Sequence, residues 1–134
     1  YEMYPDQHCT MTKKILMEEG WPEEYIRAVI SHGYGICSDT EPVSLLEKTL
    51  FAVDELTGLV TTSALVRPSR SVLDMEARSV RKKWTDRRFA AGVDRSIIEK
   101  GAAMLGVDLN DLITDTIMGM RVVAQDIGLS GATV

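Results

Sequence analysis

Apolar positions along this chain recur at helical spacing, and signals for strands are nearly absent. A first helix is predicted from Gln7 to Glu19, stopped by Gly20, a residue suited to the left-handed position after a helix. Trp21-Pro22-Glu23-Glu24 opens a second, with proline in the tolerated first turn and acids against the helix dipole. Its apolar stripe is Ile26, Val29 and Ile30, and it ends around His32-Gly33, followed by a turn-rich loop to Pro42. Ser44-x-x-Glu47 has the form of a capping box and starts a third helix that runs through Leu65 and halts before Pro68. Its charged wedge is confined to Glu47, Lys48 and Glu55, so this helix is predicted to be mostly buried. Residues 76–85 read as helix with charge on most faces. Asp94 caps a helix carrying Ile97, Ile98, Ala102 and Leu105, closed by Gly106. Asp108 caps the last, whose inner face holds Leu109, Leu112, Ile113, Thr116, Ile117, Met120, Val123 and Ala124, with Gly128 at its end. The expected fold is all-α, a compact orthogonal array of five to six helices in one domain over residues 1–128, with a frayed tail over 129–134.

Composition supports a globular chain. Hydrophobic residues make up 45% of the 134, enough for a real core and too many for a disordered segment. A net charge of −5 argues against nucleic acid as the partner, and no run approaches the roughly 18 apolar residues of a membrane span. The two cysteines, Cys9 and Cys37, lie among helical signals in a chain large enough not to need a staple; reduced thiols and a cytoplasmic location are the expectation.

The two histidines stand apart. His8 falls in the first helix and His32 at the end of the second, 24 positions on, while Asp54 follows 22 positions later in the third. Neutral imidazole and carboxylate are ordinary ligands for a divalent transition ion, although these separations match no short zinc pattern. Taken by residue type alone, His8 reads as a surface residue, His32 as a helix-end residue and Asp54 as a surface acid. Were Asp54 to enter a packed interior, its charge would call for a cation opposite it. Cys9 adjoins His8, but neighbours on a helix diverge by about 100°, so no Cys–His couple is expected there. Six basic residues, Arg78, Arg81, Lys82, Lys83, Arg87 and Arg88, crowd into one short stretch of an acidic chain. They read first as a solvated face and second as a cluster able to meet phosphate. Trp84 and Phe89 are expected to anchor that stretch to the core.

The order His8, His32, then Asp54 within Ala52-Val53-Asp54-Glu55-Leu56-Thr57-Gly58-Leu59 resembles the later part of the HD superfamily of metal-dependent phosphohydrolases. Leu65-Val66-Arg67-Pro68-Ser69, Val80-Arg81-Lys82-Lys83-Trp84 and Arg88-Phe89-Ala90-Ala91-Gly92-Val93-Asp94-Arg95 are similar to stretches of its small bacterial members. Ile98-Glu99-Lys100-Gly101-Ala102 and Leu105-Gly106-Val107 extend the likeness over nearly the whole chain. The resemblance implies a helical centre for a divalent metal (Mn, Fe, Mg, Zn or Ni). Asp54 matches the family's last metal-binding acid, and His8 and His32 match its additional histidines. The family's adjacent His-Asp pair occurs nowhere in this sequence; by the resemblance it would fall just before Tyr1, so the chain is expected to hold only part of the site.

Two functions follow as expectations. One is a metal-dependent phosphohydrolase acting on a phosphate ester such as a nucleotide, with Asp54, His8 and His32 as metal ligands. Lys82, Lys83 and Arg67 would hold substrate charge, and this chain alone would be inactive for want of the His-Asp pair. The other is a catalytically incomplete HD-like module that binds a nucleotide or a protein partner. Apolar surface exposed by the missing part would favour a homo-oligomer.

Overall fold

The computed structural model describes residues 7–131 and shows an all-α chain. Its helices are α1 (His8–Glu18), α2 (Glu23–Ser31), α3 (Leu45–Leu65), α4 (Ala77–Arg81), α5 (Arg95–Leu105) and α6 (Leu109–Val122). Among the described residues there is no strand, only the isolated bridges Tyr34–Ser38 and Ser71–Ser130. Among the described residues no helix is long and apolar enough to cross a membrane. The chain divides into two compact units, one ending at Ala52 and the other starting at Val53, so α3 begins in the first and ends in the second.

In the first unit α1 stops where the sequence predicts. Gly20 adopts φ +78°, and the Trp21 N–H reaches back to the Leu16 carbonyl at 3.0 Å while the Gly20 N–H bonds Met17 at 3.1 Å. That reciprocal pair satisfies carbonyls the helix end would otherwise leave open. The chain then reverses, and α2 packs against α1.

The capping box at the start of α3 is formed on both sides. The Glu47 N–H donates to Ser44 Oγ at 3.2 Å, and Glu47 Oε1 accepts from the N–H groups of Ser44 (3.1 Å) and Val43 (3.0 Å). Glu47 is therefore not part of a solvated wedge: it is 4% exposed, with the Arg27 Nε 3.1 Å from its second oxygen. Burial alone would raise its pKa. The hydrogen bonds from Ser44 and Val43 and the nearby Arg27 cation outweigh that and hold it below the ordinary carboxylate value.

The second unit has an apolar interior. Leu56, Leu59, Met75, Ile98, Ile113 and Ile117 are all closed to solvent. Asp94 accepts from the Ser96 N–H and Asp108 from those of Asn110 and Asp111, so both predicted N-caps are present. Gly106 closes α5 at φ +67°.

Two boundaries differ from expectation for tertiary reasons. α4 spans only Ala77–Arg81 rather than residues 76–85, because the Arg95 guanidinium collects the carbonyls of Lys83, Asp86, Phe89 and Val93 at 2.7–3.3 Å and bends that stretch into turns. α6 ends at Val122 and continues as turns to Gly128, which leaves Val123 42% exposed instead of on the inner face. The tail is not frayed at its start. Leu129 is buried and its carbonyl accepts from Val72 at 2.9 Å, while Arg121 bonds the carbonyls of Val72 and Met75 from α6. The rest of that predicted tail, residues 132–134, lies outside the described residues.

Candidate metal centre

His8 is the first residue of α1, and His32 follows α2 directly, so the antiparallel return of the chain can bring the two together. Their Nε2 atoms lie 3.1 Å apart, with ring planes nearly perpendicular at 87°. On His32 the Nδ1 atom sits against the Val29 carbonyl oxygen. A carbonyl can only accept, so Nδ1 carries a proton and Nε2 is the His32 nitrogen turned towards His8. Metal-binding histidines characteristically have their second nitrogen occupied by a backbone carbonyl in this way. The spacing also fits. Two Zn–N bonds of about 2.05 Å at a tetrahedral angle separate their nitrogens by about 3.3 Å.

Two sulfurs complete the neighbourhood. Cys9 and Cys37 are joined as a disulfide with Cα atoms 5.8 Å apart, so the expectation of reduced thiols does not hold. The cause is local. The Gly33 carbonyl accepts from Ile36, Cys37 and Ser38, and Gly35 at φ +80° lets the chain double back, which returns Cys37 to Gly33 and to α1. A Cβ on Gly33 would overlap both sulfur atoms, so glycine is required there. The ligand atoms of His8, Cys9 and His32 all fall within 4.8 Å of one another. With Cys9 bound in the disulfide, its sulfur and the His8 ring share a neighbourhood without forming a nucleophilic couple. Residues 100° apart on one helix can still face a common point when a third side chain arrives between them.

Asp54 belongs to the second unit and is exposed, with its backbone carbonyl accepting from the Thr57 hydroxyl. Solvent already compensates its charge, so burial gives no reason for a cation beside it. A ligand role for Asp54 rests on the sequence resemblance alone.

The residues expected to hold substrate charge have other engagements. Arg67 ties down its own loop, bonding the Asp74 carboxylate at 2.7 Å and the Ser71 and Asp74 carbonyls at 3.0 and 3.2 Å. That bond, helped by the Ser69 hydroxyl, keeps the Asp74 pKa below its ordinary value. Lys83 is half-buried with Nζ 5.1 Å from the centre of the Phe89 ring, and Lys82 points to solvent. Arg81 stacks over Trp84, whose indole N–H bonds Glu99. Most of the basic run is thus a solvated face. A cleft of about 670 Å³ beside it is lined by Trp84, Arg87, Asp94 and Arg95 among others, and by none of Arg67, Lys82 and Lys83.

Cys37 and Gly33 are the neighbours that reasoning from the sequence missed. One signal was available: Cys9 and Cys37 are 28 residues apart and His8 and His32 are 24, so both pairs join the start of α1 to the region just after α2. Set against known proteins, the chain matches no family model, no curated sequence and no solved structure.

Proposed function

We propose that this chain is part of a metal-dependent phosphohydrolase acting on a phosphate ester, a nucleotide being the substrate class favoured by the sequence resemblance. One observation carries the metal half of that reading: imidazoles 24 residues apart converge to 3.1 Å, with a backbone carbonyl holding one in the tautomer a ligand needs. The hydrolytic half is carried by the resemblance to the HD superfamily, and Asp54 enters with it.

His8 and His32 would hold a divalent ion through Nε2. Such an ion, when bound, supplies polarisation of a phosphoryl oxygen and a lowered pKa for water. The Val29 carbonyl keeps the His32 proton on Nδ1 and so keeps Nε2 available. The Cys9–Cys37 link anchors the start of α1 to the loop after α2, which limits how far the two rings can separate. Among the basic residues, Lys82 is the most available to a phosphate, since Arg67 is already bound to Asp74 and Lys83 lies over Phe89.

Phosphate release from a panel of nucleotides, phosphomonoesters and phosphodiesters, measured with Mn²⁺, tests the reading. The protein to use is the product of the whole reading frame containing this chain, so that any His-Asp pair encoded there is present. The expected result is hydrolysis that requires the ion and falls at least about 100-fold in His32→Ala and in Asp54→Ala. Metal-independent turnover, or turnover unchanged by Asp54→Ala, contradicts the assignment of these ligands. Tight nucleotide binding with no metal and no turnover would instead identify a binding module.

A further inference from the structure

The Cys9 sulfur of the disulfide lies within ligand reach of the imidazole pair. We propose that reduction of Cys9–Cys37 converts the two-histidine centre into a four-ligand Cys₂His₂ site for a thiophilic divalent ion, with Zn²⁺ as its natural occupant. The inference shares with the proposed function its reading of His8 and His32 as ligands, and is independent of any hydrolytic role.

A disulfide sulfur is neutral and a poor ligand, whereas a thiolate is a strong one for soft and borderline ions. Cys9 is 3% exposed, so a thiolate there needs a cation close by, and the nearest side chains of the cluster, His8 and His32, supply nitrogen ligands to share it. The dimensions suit zinc. Bonds of about 2.3 Å to sulfur and 2.05 Å to nitrogen place tetrahedral ligands roughly 3.3–3.8 Å apart. The His8, Cys9 and His32 ligand atoms already lie within 4.8 Å of one another, and Cys37, joined to Cys9, is the fourth ligand that a change of side-chain rotamer would bring in. Room for both sulfurs is built into the backbone by the missing Cβ of Gly33. The spacing of these ligands along the sequence fits no short zinc motif; the return of α2 against α1 and the hooked loop bring them together.

The redox step balances with a dithiol as reductant. Two electrons from the dithiol break the Cys9–Cys37 bond, its two protons leave Cys9 and Cys37 as thiols, and the dithiol closes to its own cyclic disulfide. Zn²⁺ then displaces both thiol protons to solvent. A sphere of four protein ligands is closed, so this form would support the fold rather than open a position for substrate.

Cobalt(II) is the probe, because thiolate ligation gives it sulfur-to-metal charge-transfer absorption in the near ultraviolet and tetrahedral ligation gives strong visible bands. The whole chain is titrated with Co²⁺ oxidised, and again after reduction by dithiothreitol and anaerobic removal of the reagent. The expected result is one Co²⁺ per reduced chain with both sets of bands, their loss on adding Zn²⁺, and no charge-transfer band from the oxidised chain. Cys37→Ser and His32→Asn, each checked for native helix content by circular dichroism, should each weaken the reduced spectrum. The comparison of oxidised with reduced wild type stands without either variant. Cobalt bound by both forms without charge transfer would overturn the sulfur ligation and leave the imidazole pair standing. No binding by either form would overturn both readings, and a reduced spectrum unchanged in His32→Asn would overturn the histidine half of the site.

Discussion

The two units of this chain are held together by different kinds of interaction. The second buries aliphatic side chains from α3, α5 and α6, with Leu59, Ile98, Ile113 and Ile117 closed to water. The first buries far less apolar surface: Cys9, Ile26, Ala28, Phe51 and Ala52 are its only buried hydrophobic residues among those described. In their place it has a disulfide, an imidazole pair and a buried carboxylate with three compensating partners. A segment with too little core tends to use covalent, metal or specific polar links, and such links are also where chemistry can take place. The contrast teaches where to look for function: in the unit whose stability depends on named polar and sulfur atoms.

The largest effect should come from the staple. Closing a loop across 28 residues is worth about 3.5 kcal/mol on the chain-entropy model, so reduction should lower stability by about that amount in urea titrations with chelator present. Gly33→Ala should act similarly, because its methyl group would occupy the place of both sulfurs. A chain whose unfolding midpoint is the same in both redox states would break the comparison at its first term.

The apolar unit should answer to cavities instead. Ile113→Ala removes fully buried side-chain volume from α6 and should cost about 3 kcal/mol in the oxidised chain, read by thermal or urea unfolding. A cost below about 1 kcal/mol would mean that α6 is not packed as described.

A smaller effect is expected at the buried carboxylate. Glu47→Gln keeps the shape but weakens the bonds to Val43, Ser44 and Arg27, for a loss of about 1 kcal/mol at neutral pH, kept modest because Arg27 faces solvent. The sign of its pH dependence follows from a folded pKa held below the ordinary carboxylate value. The Glu47 contribution is fully present above that ordinary value and disappears as pH falls through the depressed one. Stability measured from pH 7 down to pH 3 should therefore fall less steeply in Glu47→Gln than in the wild type. An effect of the same order is expected at a cap: Asp108→Ala leaves the Asn110 and Asp111 N–H groups to water and should cost about 1 kcal/mol.

What the sequence disclosed follows from the range of each interaction. Ser44 with Glu47, Asp94, Asp108, Gly20 and Gly106 all act within one turn, and each predicted boundary they mark is present. Boundaries set by distant partners were hidden. Nothing near Thr85 announces that Arg95 will gather the carbonyls ahead of it, and nothing near Gly128 announces that Leu129 will be buried against the 67–75 segment. The candidate site divides in the same way. His8 and His32 could be singled out by residue type and by the family resemblance, but their meeting with Cys9 and Cys37 depends on the loop hooked around Gly33. Asp54 shows the converse: its helix and its place as a surface acid were both legible from residue type alone.

The central claim is that His8 and His32 bind one divalent ion together, and imidazole nitrogen resonances during a Zn²⁺ titration of the oxidised chain test it most directly. Both Nε2 signals should move together and saturate at one equivalent, while the His32 Nδ1 signal stays protonated against Val29. If neither Nε2 signal moves, or if each responds at a different zinc concentration, the paired imidazoles are a hydrogen-bonded contact and not a metal centre.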